Sequence, residues 1–162
     1  MTTRIKSLRS SKVQMMEKSS IRLSEHFTLA ELTKTKTNLT NVPNEAQVAN
    51  LKRLCGWLER LRSEWNRRYG EGDDPIVINS AFRSPAVNKA VGGSPSSSHL
   101  TGCAADIRVS GMEQALRYAV ILLDISDESR EDFDELLIER NARGMIWIHF
   151  AVRKSGNRRR VR

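Results

Sequence analysis

Apolar side chains recur every three or four positions over one long stretch of the chain, residues 44–69. This spacing predicts an amphipathic α-helix that packs one apolar face into a core. Gly70 follows directly and is a natural stop for such a helix. The interleaved Lys, Arg and Glu residues are expected to face solvent, so we interpret this helix as scaffold. The apolar stripe consists of Val48, Leu51, Leu54, Leu58, Leu61 and Trp65.

Shorter patterns surround this helix. Ser84-Pro85 predicts the start of a short helix, with serine as the cap and proline in the first turn. Runs with β-strand character occupy residues 76–82, 103–109, 134–139 and 145–152, and further helices are predicted near Thr28 and over residues 112–123. Because helices and strands do not alternate regularly, we predict an α+β fold, a small antiparallel sheet with helices packed on it.

Side-chain alternation assigns faces to two of these strands. In residues 103–109, Ile107 belongs to the apolar face and Asp106 points away from the core. In residues 145–152, Ile148 belongs to the apolar face, whereas Trp147 and His149 project to the opposite side. Two strands therefore each present a metal-ligand side chain on a non-core face, and the loop before the first strand supplies His99. A His, Asp, His set with one open position suits catalytic zinc.

Charge and composition exclude several classes of protein. The chain carries 27 Lys plus Arg against 19 Asp plus Glu, and much of the excess lies near the two ends. No helix-turn-helix, zinc-finger spacing or RNA-binding aromatic signature accompanies this charge, so no nucleic-acid partner is expected. No apolar run approaches the roughly 20 residues of a membrane span, and no secretory signal is visible. The two cysteines, Cys55 and Cys103, form no CxxC pair, and Cys55 is predicted to lie in the core.

Three segments together resemble a known family. They are Ser80-Ala81-Phe82-Arg83-Ser84, then Ser97 to Asp106 with the pattern S-x-H-x-x-G-x-A-x-D, then Trp147-Ile148-His149. This combination resembles the M15 metallopeptidases, which include zinc D-Ala-D-Ala carboxypeptidases and related phage endolysins, and implies their hedgehog/DD-peptidase fold. The resemblance covers roughly residues 22–152. It divides the chain into a basic leader (1–21), a peptidase domain (22–152) and a basic C-terminal tail (153–162).

The resemblance also implies roles for single residues. His99, Asp106 and His149 match the zinc ligands. Arg83 matches the arginine that binds the terminal carboxylate of the substrate, a task suited to a planar guanidinium. Ser97 and Trp147 are expected at the pocket wall, although Trp147 would also serve simply to cover the sheet.

The general base departs from the family pattern, because the family often has a carboxylate three residues before the last histidine and Ile146 stands there. The nearest carboxylate upstream is Glu139. A two-residue turn at Ala142-Arg143 pairs Glu139 with Ile146 on the core side. A three-residue turn that also includes Asn141 pairs it with Met145, on the face of His149. Burial of a carboxylate among isoleucines is costly, which favours the second register and Glu139 as base.

The expected function is therefore zinc-dependent hydrolysis of bacterial cell-wall stem peptides. Both a D-Ala-D-Ala carboxypeptidase and an endolysin-type endopeptidase fit the residues. The alternative is a non-catalytic zinc-containing module that binds the wall or a polyanion. The expected partners are peptidoglycan peptides and the expected state is a monomer. Release with a phage or prophage, or an unrecognised export route, would bring the protein to its substrate.

Overall fold

The computed structural model describes residues 21–162, so all but the last residue of the expected leader lies outside the described part. The described chain has an α+β fold, as predicted. Its helices are α1 (Leu29–Leu32), α2 (Glu45–Arg68), α3 (Pro85–Ala90) and α4 (Met112–Ser129), with a 3₁₀ helix at Ser98–Thr101. Its strands are β1 (Ile78–Ser80), β2 (Ala104–Arg108), β3 (Glu135–Arg140), β4 (Ile146–Ala151) and β5 (Arg160–Val161).

Capping side chains fix where the helices begin. Asn44 accepts a hydrogen bond from the backbone N–H of Gln47, and the Gln47 side chain accepts one from the N–H of Asn44, which is a capping box. Thr28 caps α1 and Ser84 caps α3, with Pro85 in the first turn. The predicted starts of these three helices are confirmed.

Helix α4 is longer than predicted, since it ends at Ser129 rather than Leu123. Its apolar face continues through Ile125, which is buried. The hydroxyl of Ser126 donates to the carbonyl of Glu131 at 2.6 Å and ties the end of the helix to the chain that follows. Polar residues around Ile125 concealed this continuation in the sequence.

The strands form a sheet in the order β1-β2-β4-β3-β5 within the described residues. All pairs are antiparallel except β3 and β5, which run parallel. Strand β1 is shorter than predicted, because its register with β2 shifts between Ile78 and Ser80. The sheet is thus largely the antiparallel sheet expected, with one parallel strand added at an edge.

One face of the sheet carries the hydrophobic core. Helices α2 and α4 pack there, and Trp57 of α2 contacts Phe133 and Phe150, with ring centroids 6.3 and 5.4 Å away. Cys55 is fully buried, as expected, and burial raises the pKa of its thiol to about 12. Over residues 21–162, no helix is both long and apolar enough to cross a membrane. The opposite face of the sheet remains available for a site.

The segment expected as a basic tail is part of the sheet. Arg160 pairs with Glu135 and Val161 with Leu136, so residues 153–162 are not separate from the domain. Arg158 donates two hydrogen bonds, at 2.9 and 2.8 Å, to the fully buried carboxylate of Asp134. A buried carboxylate needs such partners, which is why this basic segment packs on the fold instead of extending into solvent.

Candidate metal centre

Three side chains predicted as ligands converge on the open face of the sheet. His99, Asp106 and His149 are all buried, and one ligand atom from each lies within 4.8 Å of the others. Nε2 of His99 is 3.2 Å from Oδ1 of Asp106, and Nδ1 of His149 is 3.1 Å from the same oxygen. Fold and sequence pattern therefore place these three residues together, as predicted.

The strand register brings Asp106 and His149 together. Asp106 of β2 lies directly opposite His149 of β4, and residues opposite each other in an antiparallel pair project to the same face. Ile107 pairs with Ile148 and both are buried on the core face. The alternation seen in the sequence is therefore confirmed.

His99 reaches the same point from the short 3₁₀ helix. The hydroxyl of Ser97 accepts a hydrogen bond from the backbone N–H of His99 and caps this helix. The helix ends at Gly102, whose φ of +74° favours glycine. A Cβ at this position would lie 2.7 Å from the carbonyl oxygen of Gln47, so only glycine lets the loop approach α2 this closely.

The histidines control the charge of Asp106. Burial alone would raise the pKa of this carboxyl, but hydrogen bonds from His149 and His99 outweigh burial and lower it. Burial would likewise lower the pKa of His149, but its hydrogen bond with Asp106, and the charges of Asp106, Glu139 and Glu135, raise it. Asp106 is thus an anion held between two imidazoles.

The donor set fits a zinc ion. Each imidazole directs one nitrogen to Asp106 and the other to a separate acceptor. Nδ1 of His99 lies 2.6 Å from the carbonyl oxygen of Ala81, and Nε2 of His149 lies 3.2 Å from Oε2 of Glu135. Because the outer nitrogens have acceptors for their protons, each inner nitrogen can present its lone pair once a metal replaces its hydrogen bond to Asp106. Two neutral imidazoles and one carboxylate are ligands that zinc prefers.

Arg83 lies beside the three ligands and is only 16% exposed. Its Nη2 donates to Oδ2 of Asp106 and its Nε donates to Ser80, both at 2.9 Å. Asn41 braces the turn that carries Arg83, because its amide donates to the carbonyl of Phe82 and accepts from the N–H of Ser84. No local sequence pattern indicates this bracing by Asn41.

Glu139 lies on the face of His149, although neither register considered for its hairpin is correct. Arg140 pairs with Ile146, so Glu139 lies opposite Trp147 and the connection spans residues 141–145. The side chain of Asn141 accepts hydrogen bonds from the N–H groups of Arg143 and Met145, which stabilises this longer turn. Glu139 has no hydrogen bond or ion pair among residues 21–162, whereas Glu135 has several.

A cleft of about 690 Å³ covers the centre. The expected wall residues Ser97 and Trp147 line it, together with Glu135 and Glu139. Sequence reasoning missed Glu135, although alternation along β3 places it on the face of Glu139. Sequence reasoning also missed the arginines of the C-terminal segment. All of them line the cleft except Arg159. The cleft-lining arginines are Arg83, Arg153, Arg158, Arg160 and Arg162.

Comparisons with known proteins agree with this geometry. The family described as Peptidase M15 matches residues 25–134, a range that contains Arg83, His99 and Asp106. The chain is also 34% identical over 82 residues to the zinc D-Ala-D-Ala carboxypeptidase of Streptomyces albus G. This match covers 51% of the chain but only 31% of the relative. Strands β3 and β4 lie beyond the family match, and the sheet brings His149 to the other two ligands.

Proposed function

The chain belongs to the peptidase M15 family, a family of zinc metallopeptidases, and we propose that it hydrolyses a peptide bond in bacterial cell-wall stem peptides. The observation that carries the proposal is the convergence of His99, Asp106 and His149 in an open cleft. The printed name of the Streptomyces relative, a zinc D-Ala-D-Ala carboxypeptidase, supports wall peptides as the substrate class.

His99, Asp106 and His149 would hold the ion. Bound zinc supplies a Lewis acid for the substrate carbonyl and lowers the pKa of water toward neutrality. Asp106 neutralises part of the charge of the ion, and the acceptors at Ala81 and Glu135 keep both rings in the orientation observed.

Glu139 is the proposed general base. It lies in the cleft on the face of His149 and is opposite Trp147 in the sheet. Its carboxylate is not committed to an arginine among the described residues, so it is free to accept a proton from water and return it to the leaving amine. Glu135 has its oxygens engaged by Arg158, Arg160 and His149, and is less suited to this task.

Arg83 is the proposed anchor for a substrate carboxylate. Its guanidinium lies at the edge of the centre, with Nη1 uncommitted among the described residues, and a planar guanidinium suits a carboxylate. Ser97 and Trp147 would form the wall beside it. The cleft is lined by more arginines than carboxylates, which favours an anionic peptide over a neutral one.

The proposed hydrolysis has two forms, which differ in the peptide bond that is cleaved. If Arg83 binds the terminal carboxylate, the enzyme removes a terminal residue, as a D-Ala-D-Ala carboxypeptidase does. If a long peptide crosses the cleft, the same centre cleaves an internal bond, as an endolysin does. Either version requires access to the wall, through release with a phage or prophage or through another export route.

Zinc analysis of the purified chain, combined with digestion of purified wall peptides and a mass readout, tests this function. We expect stoichiometric zinc and one defined product mass, which also identifies the bond. Glu139→Gln should retain zinc and lose hydrolysis by about 100-fold or more, the scale of a lost general base. Intact hydrolysis in Glu139→Gln would remove its role, and wild-type protein that holds zinc without hydrolysing any wall peptide would favour a non-catalytic binding module.

A further inference from the structure

Both carboxylate oxygens of Glu135 have partners. Its Oε2 lies 3.2 Å from Nε2 of His149, on the side of the ring that faces away from Asp106. Its Oε1 accepts hydrogen bonds from Arg160 at 2.9 Å and from Arg158 at 3.2 Å. The Glu135 side chain is only 13% exposed, although the two arginines keep about 40% of their own surface in solvent. This carboxylate is therefore fixed in position before any ligand arrives.

The two histidines of the centre are supported in different ways. The outer nitrogen of His99 faces the backbone carbonyl of Ala81, which the fold fixes at no cost in charge. The outer nitrogen of His149 faces a charged side chain, Glu135. Nδ1 of His149 also faces a carboxylate, that of Asp106. A neutral imidazole has one proton, so a metal bound at Nδ1 leaves that proton on Nε2, where Glu135 is placed to accept it. Glu135 thus supports the tautomer and the ring orientation that a metal at Nδ1 requires.

We infer that Glu135 is a positioning residue for His149, and that Arg158 and Arg160 of the C-terminal segment fix Glu135 in turn. The inference rests on His149 being a ligand of the proposed zinc. Histidine ligands commonly donate their second ring N–H to a carboxylate, which orients the ring and raises its basicity. Strand β5 is accordingly a support of the metal centre.

The anchor of this support is buried. Arg158 contacts Asp134 through its backbone N–H and its guanidinium, at 3.1, 2.9 and 2.8 Å. Arg153 adds a further contact to the same carboxylate at 3.0 Å. Because the Asp134 side chain is fully buried, Arg158 is held rigidly where it meets Glu135. A chain of contacts therefore runs from Asp134 through Arg158 and Glu135 to His149.

The two glutamates of β3 have separate roles. Glu135 and Glu139 project to the same face, four residues apart, and both line the cleft. Glu135 contacts a ligand and two arginines, whereas Glu139 has no hydrogen bond or ion pair within residues 21–162. Removal of either carboxylate takes one negative charge from the cleft, but only the loss of Glu135 removes the acceptor of His149. Glu139 is therefore a matched control for Glu135.

The test is the zinc dissociation constant of the full chain, measured by competition with a chromophoric chelator. Glu135→Ala should raise the constant by about 10- to 100-fold, the usual effect of losing such a partner. Glu139→Ala, the matched substitution, should raise it much less. Equal effects of the two substitutions would overturn the inference, because the loss would then reflect cleft charge alone. This readout needs no hydrolysis, so failure of the proposed function would leave it intact.

A second measurement separates positioning from general structural damage. Glu135→Gln keeps an acceptor oxygen and should recover part of the zinc affinity lost in Glu135→Ala. In zinc-loaded wild type, nitrogen-15 NMR of the His149 ring should show a slowly exchanging proton on Nε2. In Glu135→Ala that proton should exchange rapidly, while thermal unfolding of the metal-free variant checks its folding. An Nε2 proton equally protected in wild type and variant would contradict the role of Glu135.

Discussion

At the scale of single residues, the centre depends on the direction of each hydrogen bond. Oδ1 of Asp106 contacts the inner nitrogens of both imidazoles, and Oδ2 accepts a hydrogen bond from Arg83. The hydrogen bonds with the two histidines lower the pKa of Asp106 despite its burial. A metal ion would replace the contacts between the inner imidazole nitrogens and Asp106. Binding of the ion must therefore displace protons, and recognition of the substrate must use the donors of Arg83 that Asp106 leaves free.

The first prediction concerns pH. The pKa of His149 is raised above its ordinary value of 6.5 in the metal-free protein, mainly because its contacts with Asp106 outweigh burial. A protonated imidazole cannot bind zinc, so the measured zinc affinity should rise with pH until His149 is neutral. Because the pKa of His149 is raised, the affinity should level off at a higher pH than it would for an ordinary histidine with a pKa of 6.5. Below that point we expect about a tenfold loss per pH unit for one competing proton. Chelator competition between pH 5.5 and 8.5 measures this, and a constant affinity over that range would contradict it.

The second prediction concerns Arg83. Loss of a charge-assisted hydrogen bond costs about 1.5–3 kcal/mol, so Arg83→Gln should lower kcat/KM for peptides with a free terminal carboxylate by about 10- to 100-fold. Arg83→Lys keeps the charge without the planar fork and should recover only part of the activity.

The same peptide with an amidated terminus is the control for Arg83. Wild-type enzyme should cleave it poorly, and Arg83→Gln should change its cleavage little. If the substitution affects both peptides equally, Arg83 acts through its contact with Asp106 rather than through the substrate.

At the scale of elements, the site depends on how closely the His99 loop approaches α2. Gly102 ends the 3₁₀ helix with a left-handed backbone, and its Cα faces Gln47 and Leu51 of α2. Two amide side chains of α2 hold the same loop, because Gln47 donates to the carbonyl of Leu100 and Asn50 donates to that of Thr101. The long helix interpreted as scaffold therefore also positions a candidate metal ligand.

Gly102→Ala should destabilise the protein by about 1–3 kcal/mol from backbone strain, with an added cost from the contact with Gln47, and should weaken zinc binding by displacing His99. Gly92 is the matched control, because its φ of +73° is similar and a Cβ there would meet nothing within 4 Å. Urea unfolding of the metal-free protein measures the free energy of unfolding of both variants, and chelator competition measures their zinc affinity. Equal destabilisation by Gly92→Ala and Gly102→Ala would show that the close approach to α2 contributes nothing.

At the scale of the whole molecule, the residues that stabilise the fold and the residues of the metal centre lie on opposite faces of the sheet. Helices α2 and α4 cover one face with a hydrophobic core, and the metal centre and its cleft occupy the other. A change in the core should therefore alter the free energy of unfolding without altering the geometry of the ligands, as long as the protein remains folded.

Leu58→Ala tests this separation, because Leu58 is fully buried in the core. The variant should lose about 2–5 kcal/mol of unfolding free energy in urea, while its zinc dissociation constant stays near that of the wild type. Leu116→Ala is the control, since Leu116 of α4 is 52% exposed and its loss should change little. A fall in zinc affinity of Leu58→Ala comparable to that of Glu135→Ala would show that core and centre are coupled.

The sequence by itself determined the local structure and the candidate ligands. Periodicity predicted α2, alternation assigned Asp106 and His149 to one face of the strands, and the loop before the first of these strands supplied His99. Only the tertiary structure decided where Glu139 and Glu135 lie relative to His149, because the register of β3 with β4 depends on a turn whose length local sequence leaves open. The tertiary structure also showed that the segment predicted as a basic tail contains strand β5. The buried charge of Asp134, which no local pattern reveals, requires Arg153 and Arg158, which lie just before that strand.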